Sequence, residues 1–214
     1  MHILVTAGPT REFFDPVRFI SNRSSGKMGF AIAACAAARG HAVTLVAGPV
    51  TLSTPAGVAR VDVVSAREML SATQAHLPDC DALVMCAAVA DWRPKAVSAV
   101  KLKKSAPHSA VLELEPNPDI LTTLRPLKGT RLFVGFAAET GDPLAEARRK
   151  LEAKNLDLMV ANDVSLPDAG FEVDTNRVVL VTHDGPAQPL PLLTKREVAS
   201  HIIQWIEQAR PKKH

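Results

Sequence analysis

Lysines gather where the chain carries no acid. Residues 92–112 contain Arg93, Lys95, Lys101, Lys103 and Lys104 and no carboxylate, although the net charge of the whole 214-residue chain is only +3. The basicity is therefore local, which points to an anionic small ligand or a nucleic-acid contact and away from a surface coated for nucleic acid. Within this segment Lys101-Leu102-Lys103-Lys104 reads in two ways, as a solvated surface turn or as mobile point charges for a phosphate. Lys150 and Lys154 stand four apart, so on a helix both ammonium groups lean the same way. Glu146, four before Lys150, offers the alternative of a surface ion pair. Asn22, with Arg18 in the same polar loop, supplies a donor and an acceptor suited to the carbonyl of an acyl phosphate, or else it forms a turn.

Three further stretches have small residues that would let a ligand come close. Thr6-Ala7-Gly8-Pro9-Thr10 and Ser24-Ser25-Gly26-Lys27-Met28-Gly29 are glycine-bearing turns, the second feeding a helix whose first amides lack intrahelical partners. Close helix–sheet packing is the other use for such glycines. Neither is a P-loop, since Ser21 and Met28 occupy the positions of the first glycine and of the magnesium-binding hydroxyl. Cys86-Ala87-Ala88-Val89-Ala90-Asp91 follows an apolar run, and its small side chains would let a flat base or sugar lie on the backbone, with Asp91 accepting from an amine or a ribose. A plain packing turn would look the same. The seven histidines show no ligand spacing, and Cys35, Cys80 and Cys86 form no C-x-x-C pair; they read as small core residues in a reducing compartment.

These groups need a scaffold, and the apolar runs supply one. Ile3–Val5, Val43–Val46, Val61–Val64, Ala82–Cys86, Leu132–Val134, Leu158–Val160 and Val178–Val181 are continuous rather than alternating, as strands of a parallel sheet covered on both faces are. Helices are announced between them by Ser65 with Glu68 and Thr194 with Glu197, by Asn117 before Pro118 and Asp142 before Pro143, and by a Gly40 stop after Ala31–Arg39. The expectation is an α/β fold, a Rossmann-like three-layer sandwich with a mainly parallel central sheet, as one domain over 1–210 with a frayed tail at 211–214. Two long insertions break the rhythm. One is basic, 92–116, ending in the run Val111–Leu114; the other is a polar loop, 163–176.

Several classes are excluded. No tyrosine is present, so the acid/base of a short-chain dehydrogenase is missing; no Gly-x-Gly-x-x-Gly follows the first strand, and the second ends in Ala47-Gly48-Pro49 with no carboxylate for a ribose. A nucleotide-dependent reductase is thereby set aside. No apolar run approaches the roughly 20 residues of a membrane span, and Met1–Thr6 is strand-like rather than a signal sequence, so a cytoplasmic protein without membrane or nucleic-acid partners is expected. A non-catalytic nucleotide-binding or RNA-binding module stays as the alternative; an aromatic content of 4% gives it few stacking platforms.

Taken together the motifs TAGPTRE (6–12), DPVRFISNRSSGKMG (15–29), CAAVADWR (86–93), KLKK (101–104), NPDIL (117–121), VGFAAET (134–140) and NLDLMVANDV (155–164) resemble the bacterial phosphopantothenate-cysteine ligase family across nearly the whole chain. The resemblance implies a ligase of coenzyme A biosynthesis joining 4'-phosphopantothenate to L-cysteine with CTP, through an acyl-cytidylate, releasing pyrophosphate and then CMP. It implies that Lys101 serves acyl-cytidylate formation and that Asn22 handles the intermediate, with Arg18 in support. It places Met85, Cys86, Ala87, Asp91, Lys101, Pro118, Asp119, Ile120, Leu121, Phe136, Lys150 and Lys154 at the CTP site. The base would lie near 85–91 and 136, and the phosphates near the lysines and a helix start at Pro118. Magnesium accompanies the nucleotide, with no protein ligand named for it; no flavin is expected in these residues. The flavin-dependent decarboxylase of the family is expected as a fused or associated domain, and a homodimer exchanging the basic insertion as the assembly.

Overall fold

A computed structural model describes residues 1–103, 111–139, 144–163, 170 and 172–209. The expected helix start at Asp142-Pro143, Lys104 and the tail 211–214 lie outside the described residues. In chain order the elements are β1 (His2–Ala7), β2 (Arg11–Phe13), β3 (Phe19–Ser21), α1 (Lys27–Ala38), β4 (Ala42–Ala47), β5 (Val58–Asp62), α2 (Ala66–His76), β6 (Ala82–Met85), β7 (Trp92–Pro94) and β8 (Leu114–Pro116). There follow α3 (Ile120–Leu124), β9 (Leu132–Glu139), α4 (Leu144–Ala153), β10 (Leu158–Asp163), β11 (Thr175–Asn176), β12 (Val178–Val181), β13 (Gln188–Pro189), β14 (Leu193–Thr194) and α5 (Lys195–Ala209).

The main sheet runs β13-β12-β10-β9-β6-β1-β4-β5. From β5 to β10 its neighbours are parallel, and β12 and β13 add an antiparallel edge. Counted along the chain, the parallel strands lie third, second, first, fourth, fifth, sixth, the doubly wound order whose reversal falls between β1 and β6. Burial follows the pleat. Ile3, Val5, Val43, Leu45, Val84, Val134 and Val160 face α1 and α5 in one core, while Leu4, Val46, Leu83, Phe133, Met159 and Ala161 face α2, α3 and α4 in the other. The expected three-layer sandwich is what forms.

Local chemistry sets the helix ends. Ser65 and Glu68 form a reciprocal capping box on α2, and Thr194 and Glu197 do the same on α5. At the end of α1, Gly40 has φ 81°, its N–H donates to Ala37 and that of His41 to Ala36, so the glycine stop is a Schellman motif. The start of α1 depends on two glycines. Gly26 takes φ 78° to turn the chain into the helix, and a Cβ on Gly29 would lie 2.5 Å from Ala7 Cβ, so α1 rests directly on β1.

Three boundaries differ from the sequence reading. The run Val61–Val64 is not the strand; β5 lies at Val58–Asp62, because pairing with β4 in the register Val43↔Val58 sets its place and, as an edge strand, it buries only part of each residue. The third helix starts at Ile120 with Asp119 as its cap, not beside Asn117, whose side chain instead donates to Ala90 O and accepts from Arg93. In the basic insertion the strand β8 begins where the apolar run ends and pairs antiparallel with β7. That pairing also brings back acids: Arg93 meets Glu115 at 2.6 Å and Lys95 meets Glu113 at 3.3 Å, so the segment is less unbalanced than its composition.

Candidate active site

Past their last residues β1 and β6 remain zipped together. Ala88 N–H donates to Gly8 O and Thr10 N–H to Ala88 O, and two fully buried threonines complete the join: Thr6 Oγ1 accepts from Ala87 N–H at 3.2 Å, and Thr10 Oγ1 from Ala90 N–H at 2.9 Å. The loop 86–91 is thus held as a rigid shelf at the point where the sheet order reverses, where open α/β sheets bind their ligands. Over this shelf the described residues enclose a cleft of ≈ 930 Å³, between the carboxyl ends of β6 and β9 and the start of α1. A nucleotide with a second substrate fits such a volume.

The cleft brings together Asn22, Met85, Cys86, Ala87, Asp91, Pro118, Asp119, Ile120, Leu121, Phe136, Lys150 and Lys154, residues far apart in the chain. Asn22 enters from the turn after β3, its amide nitrogen donating to Ala88 O at 3.2 Å and Val89 O at 3.0 Å. Small side chains line the shelf. Half-buried Cys86 lines the shelf, and burial pushes its thiol up to about 12, which favours the neutral form.

On the α4 side both lysines already have partners. Lys150 Nζ lies 3.3 Å from Glu146, and Lys154 Nζ lies 2.9 Å from Asp119. Burial raises the Asp119 carboxyl, but the Lys154 ammonium and the Thr122 N–H outweigh it and hold it below its ordinary value. Glu146 is brought down to about 2, chiefly by Arg149 against the effect of burial, with Lys150 adding to it. The helix start after Pro118 therefore carries a carboxylate of its own. α3 is only five residues long, and Asp119 Oδ1 already accepts from the Thr122 N–H at 3.0 Å, so a phosphate at this helix start would meet a carboxylate there.

The other end of the cleft was not foreseen. Lys195 is 6% exposed at the first position of α5, where a cation opposes the helix dipole. It donates to Gly170 O at 3.0 Å and to Val173 O, and burial, then the neighbouring Lys27, pushes its ammonium down from the usual lysine value. Lys27 pairs with Asp174 at 2.7 Å and Arg23 with Glu172 at 2.8 Å, while buried Asn162 and Asn176 line the same end. A lysine directly after a capping threonine was the signal available for Lys195, and Lys27 stood inside a quoted motif. Among the described residues no cluster of three His, Cys, Asp or Glu side chains forms a metal cage.

Arg18 and Lys101 do not line the cleft. Arg18 is committed to Asp15, with Nη2 2.5 Å from Oδ2, and stacks on Phe14 at 5.1 Å. Lys101 is exposed in the segment after β7.

The family model of the DNA/pantothenate metabolism flavoprotein C-terminal domain matches residues 1–209. The coenzyme A biosynthesis bifunctional protein CoaBC of Escherichia coli (strain K12) is 52% identical over 209 residues, covering 96% of this chain and 51% of that protein. CoaBC of Vibrio parahaemolyticus is 48% identical over 204 residues, covering 94% of this chain and 51% of the relative. The chain spans about half the length of the curated relatives it matches. Among solved structures, the C-terminal domain of CoaBC superposes with a TM-score of 0.82 at 45% identity, covering 97% of this chain and 94% of that one. The DNA/pantothenate metabolism flavoprotein from Streptococcus pneumoniae, at 23% identity and TM-score 0.85 over 98% of this chain and 100% of that one, shares the fold. A cleft at the reversal of a doubly wound sheet, built from the motif residues, and a match over 1–209 place the chain in the DNA/pantothenate metabolism flavoprotein C-terminal domain family.

Proposed function

We propose that residues 1–210 form a single ligase domain of coenzyme A biosynthesis that joins 4'-phosphopantothenate to L-cysteine at the expense of CTP. The observation that carries this reading is the convergence of Asn22, the 85–91 shelf, residues 118–121, Phe136, Lys150 and Lys154 on one cleft in a chain of this family. In the first step the substrate carboxylate attacks the α-phosphorus of CTP; an O–P bond forms, the α–β phosphoanhydride breaks, and pyrophosphate leaves. In the second the cysteine amine attacks the acyl carbon, the C–N bond forms, a proton is lost and CMP departs. Neither step needs a protein nucleophile. Both need positive charge at the triphosphate and an acyl phosphate held in line.

The cytosine ring lies along the shelf and against Phe136, where small side chains admit a flat ring and Asp91 accepts from it. Lys150 and Lys154 exchange their carboxylates for phosphate oxygens. Lys101 assists attack on the α-phosphorus, and Asn22 orients the acyl-cytidylate. Magnesium would accompany the nucleotide and supply charge neutralisation at its phosphates, with no protein ligand assigned to it. The assembly is a cytoplasmic homodimer through the basic insertion, fused to or associated with a flavin-dependent decarboxylase domain.

The test is pyrophosphate release from magnesium-CTP and 4'-phosphopantothenate, followed by CMP release on adding cysteine. Folded protein that yields neither product, yet binds CTP, would establish a binding module instead. Parallel assays with ATP measure the base preference.

A further inference from the structure

Asp15, at the tip of the β2–β3 hairpin, has 0% exposure, a costly place for a charge that belongs neither to the cleft nor to either chemical step. Its carboxylate is fully engaged. Oδ1 accepts the N–H groups of Val17 at 2.9 Å and Arg18 at 2.8 Å; Oδ2 accepts from the Arg18 guanidinium and, at 3.1 Å, from the N–H of Leu102, the residue after Lys101. Arg18 completes the clasp by donating from Nη2 to Leu102 O at 2.9 Å. Both backbone polar groups of Leu102 are held although the residue is 48% exposed. A second tie runs from Ser98 N–H to Phe14 O at 3.0 Å.

A turn alone would not require this arrangement, since a surface Asp or Asn closes the same loop without burying a charge. What the burial adds is a fixed attachment of an exposed basic segment to a hairpin whose outgoing strand leads straight to Asn22. We propose that Asp15 is a positioning residue for Lys101, holding its backbone through Arg18 and the Leu102 peptide in register with the loop that carries Asn22. The inference rests on the reading of Lys101 as the lysine of acyl-cytidylate formation. Displacing a reacting group by about 1 Å can cost on the order of 100-fold in rate, so a clasp one residue away has leverage over the chemistry.

The experiment compares Asp15→Asn, Lys101→Gln and the double variant in pyrophosphate release. Asp15→Asn is expected to lower kcat by about 10- to 100-fold with the KM for CTP within about twofold of wild type. Because it acts through Lys101, it should cost less than about twofold more in the Lys101→Gln background. Amide exchange at Leu102 should quicken while β1 and β6 keep their protection. Losses that multiply in the double variant, or a wild-type kcat for Asp15→Asn, overturn the inference. If Asp15→Asn does not fold, Leu102→Pro, which removes the N–H that Asp15 accepts and also restrains the backbone of Lys101 and of residue 102, must show a kcat loss and the same lack of additivity; a wild-type kcat there overturns the inference. Wild-type protein that releases no pyrophosphate overturns the functional reading too, whereas multiplying losses in an active enzyme overturn the positioning role alone.

Discussion

At the residue scale, Asn22 and Lys101 should fail differently. Asn22 is bonded to the shelf carbonyls of Ala88 and Val89, beside the place where the acyl-cytidylate would sit. Asn22→Ala should still release pyrophosphate but form product with cysteine on the order of 100-fold more slowly, the loss typical of one oriented polar group at a developing charge. Lys101→Gln should be slow at the first step and, given isolated acyl-cytidylate, normal at the second. Measuring the two half-reactions separately decides it, and equal losses in both variants would refute the division of roles. Lys195 and Lys27 show what residue-by-residue reading misses, because their relation to the cleft exists only once α1 and α5 lie side by side against one face of the sheet.

At the element scale the placing of α1 governs the cleft, and Gly29 governs α1. Gly29→Ala would drive a methyl to 2.5 Å from Ala7 Cβ and 3.0 Å from Thr6 O. The gain in helix propensity, about 1 kcal/mol, does not relieve a clash with backbone, and overpacking of this kind costs about 1–3 kcal/mol. Chemical denaturation should show that loss, together with weaker CTP binding as the start of α1 shifts; an unchanged midpoint would mean that the helix has room. Most elements were legible because their information is local: continuous apolar runs for β1, β4, β6, β9, β10 and β12, and paired caps for α2 and α5. The edge strand β5 and the three-residue strands β2, β3, β7 and β8 were not, since pairing with a distant partner defines them rather than any run of their own. The candidate site divides in the same way. Its motif residues could be gathered from the sequence, but the commitment of the Arg18–Asp15 pair to the Leu102 peptide, and of Lys154 to Asp119, follows only from packing.

At the scale of the whole molecule two outcomes are expected. The basic insertion exposes Val97 at 65%, Val100 at 70% and Val111 at 91%, more apolar surface than a solvated loop needs. Sedimentation should find a dimer, and Val100→Lys with Val111→Asp should leave a folded monomer; a monomeric wild type would refute the assembly. Acid should also unfold the protein early. Arg18 holds Asp15 below its ordinary range, Arg39 does the same for Glu207, and Glu146 sits near about 2 against an ordinary 4.5. Depressed carboxyls bind fewer protons folded than unfolded, so their stabilisation is complete above about pH 4.5 and declines as pH falls toward 2. Thermal melts at pH 6, 4 and 3 should fall in that order, and a flat series would contradict it. The cleft itself has a resting economy of charge: Arg23, Lys27, Lys150 and Lys154 each already lie against a carboxylate. Ligand entry is therefore an exchange of counterions rather than the filling of a bare electropositive hole. Chloride or inorganic phosphate gains little by such a swap, and only a chelating polyanion offers several oxygens at once.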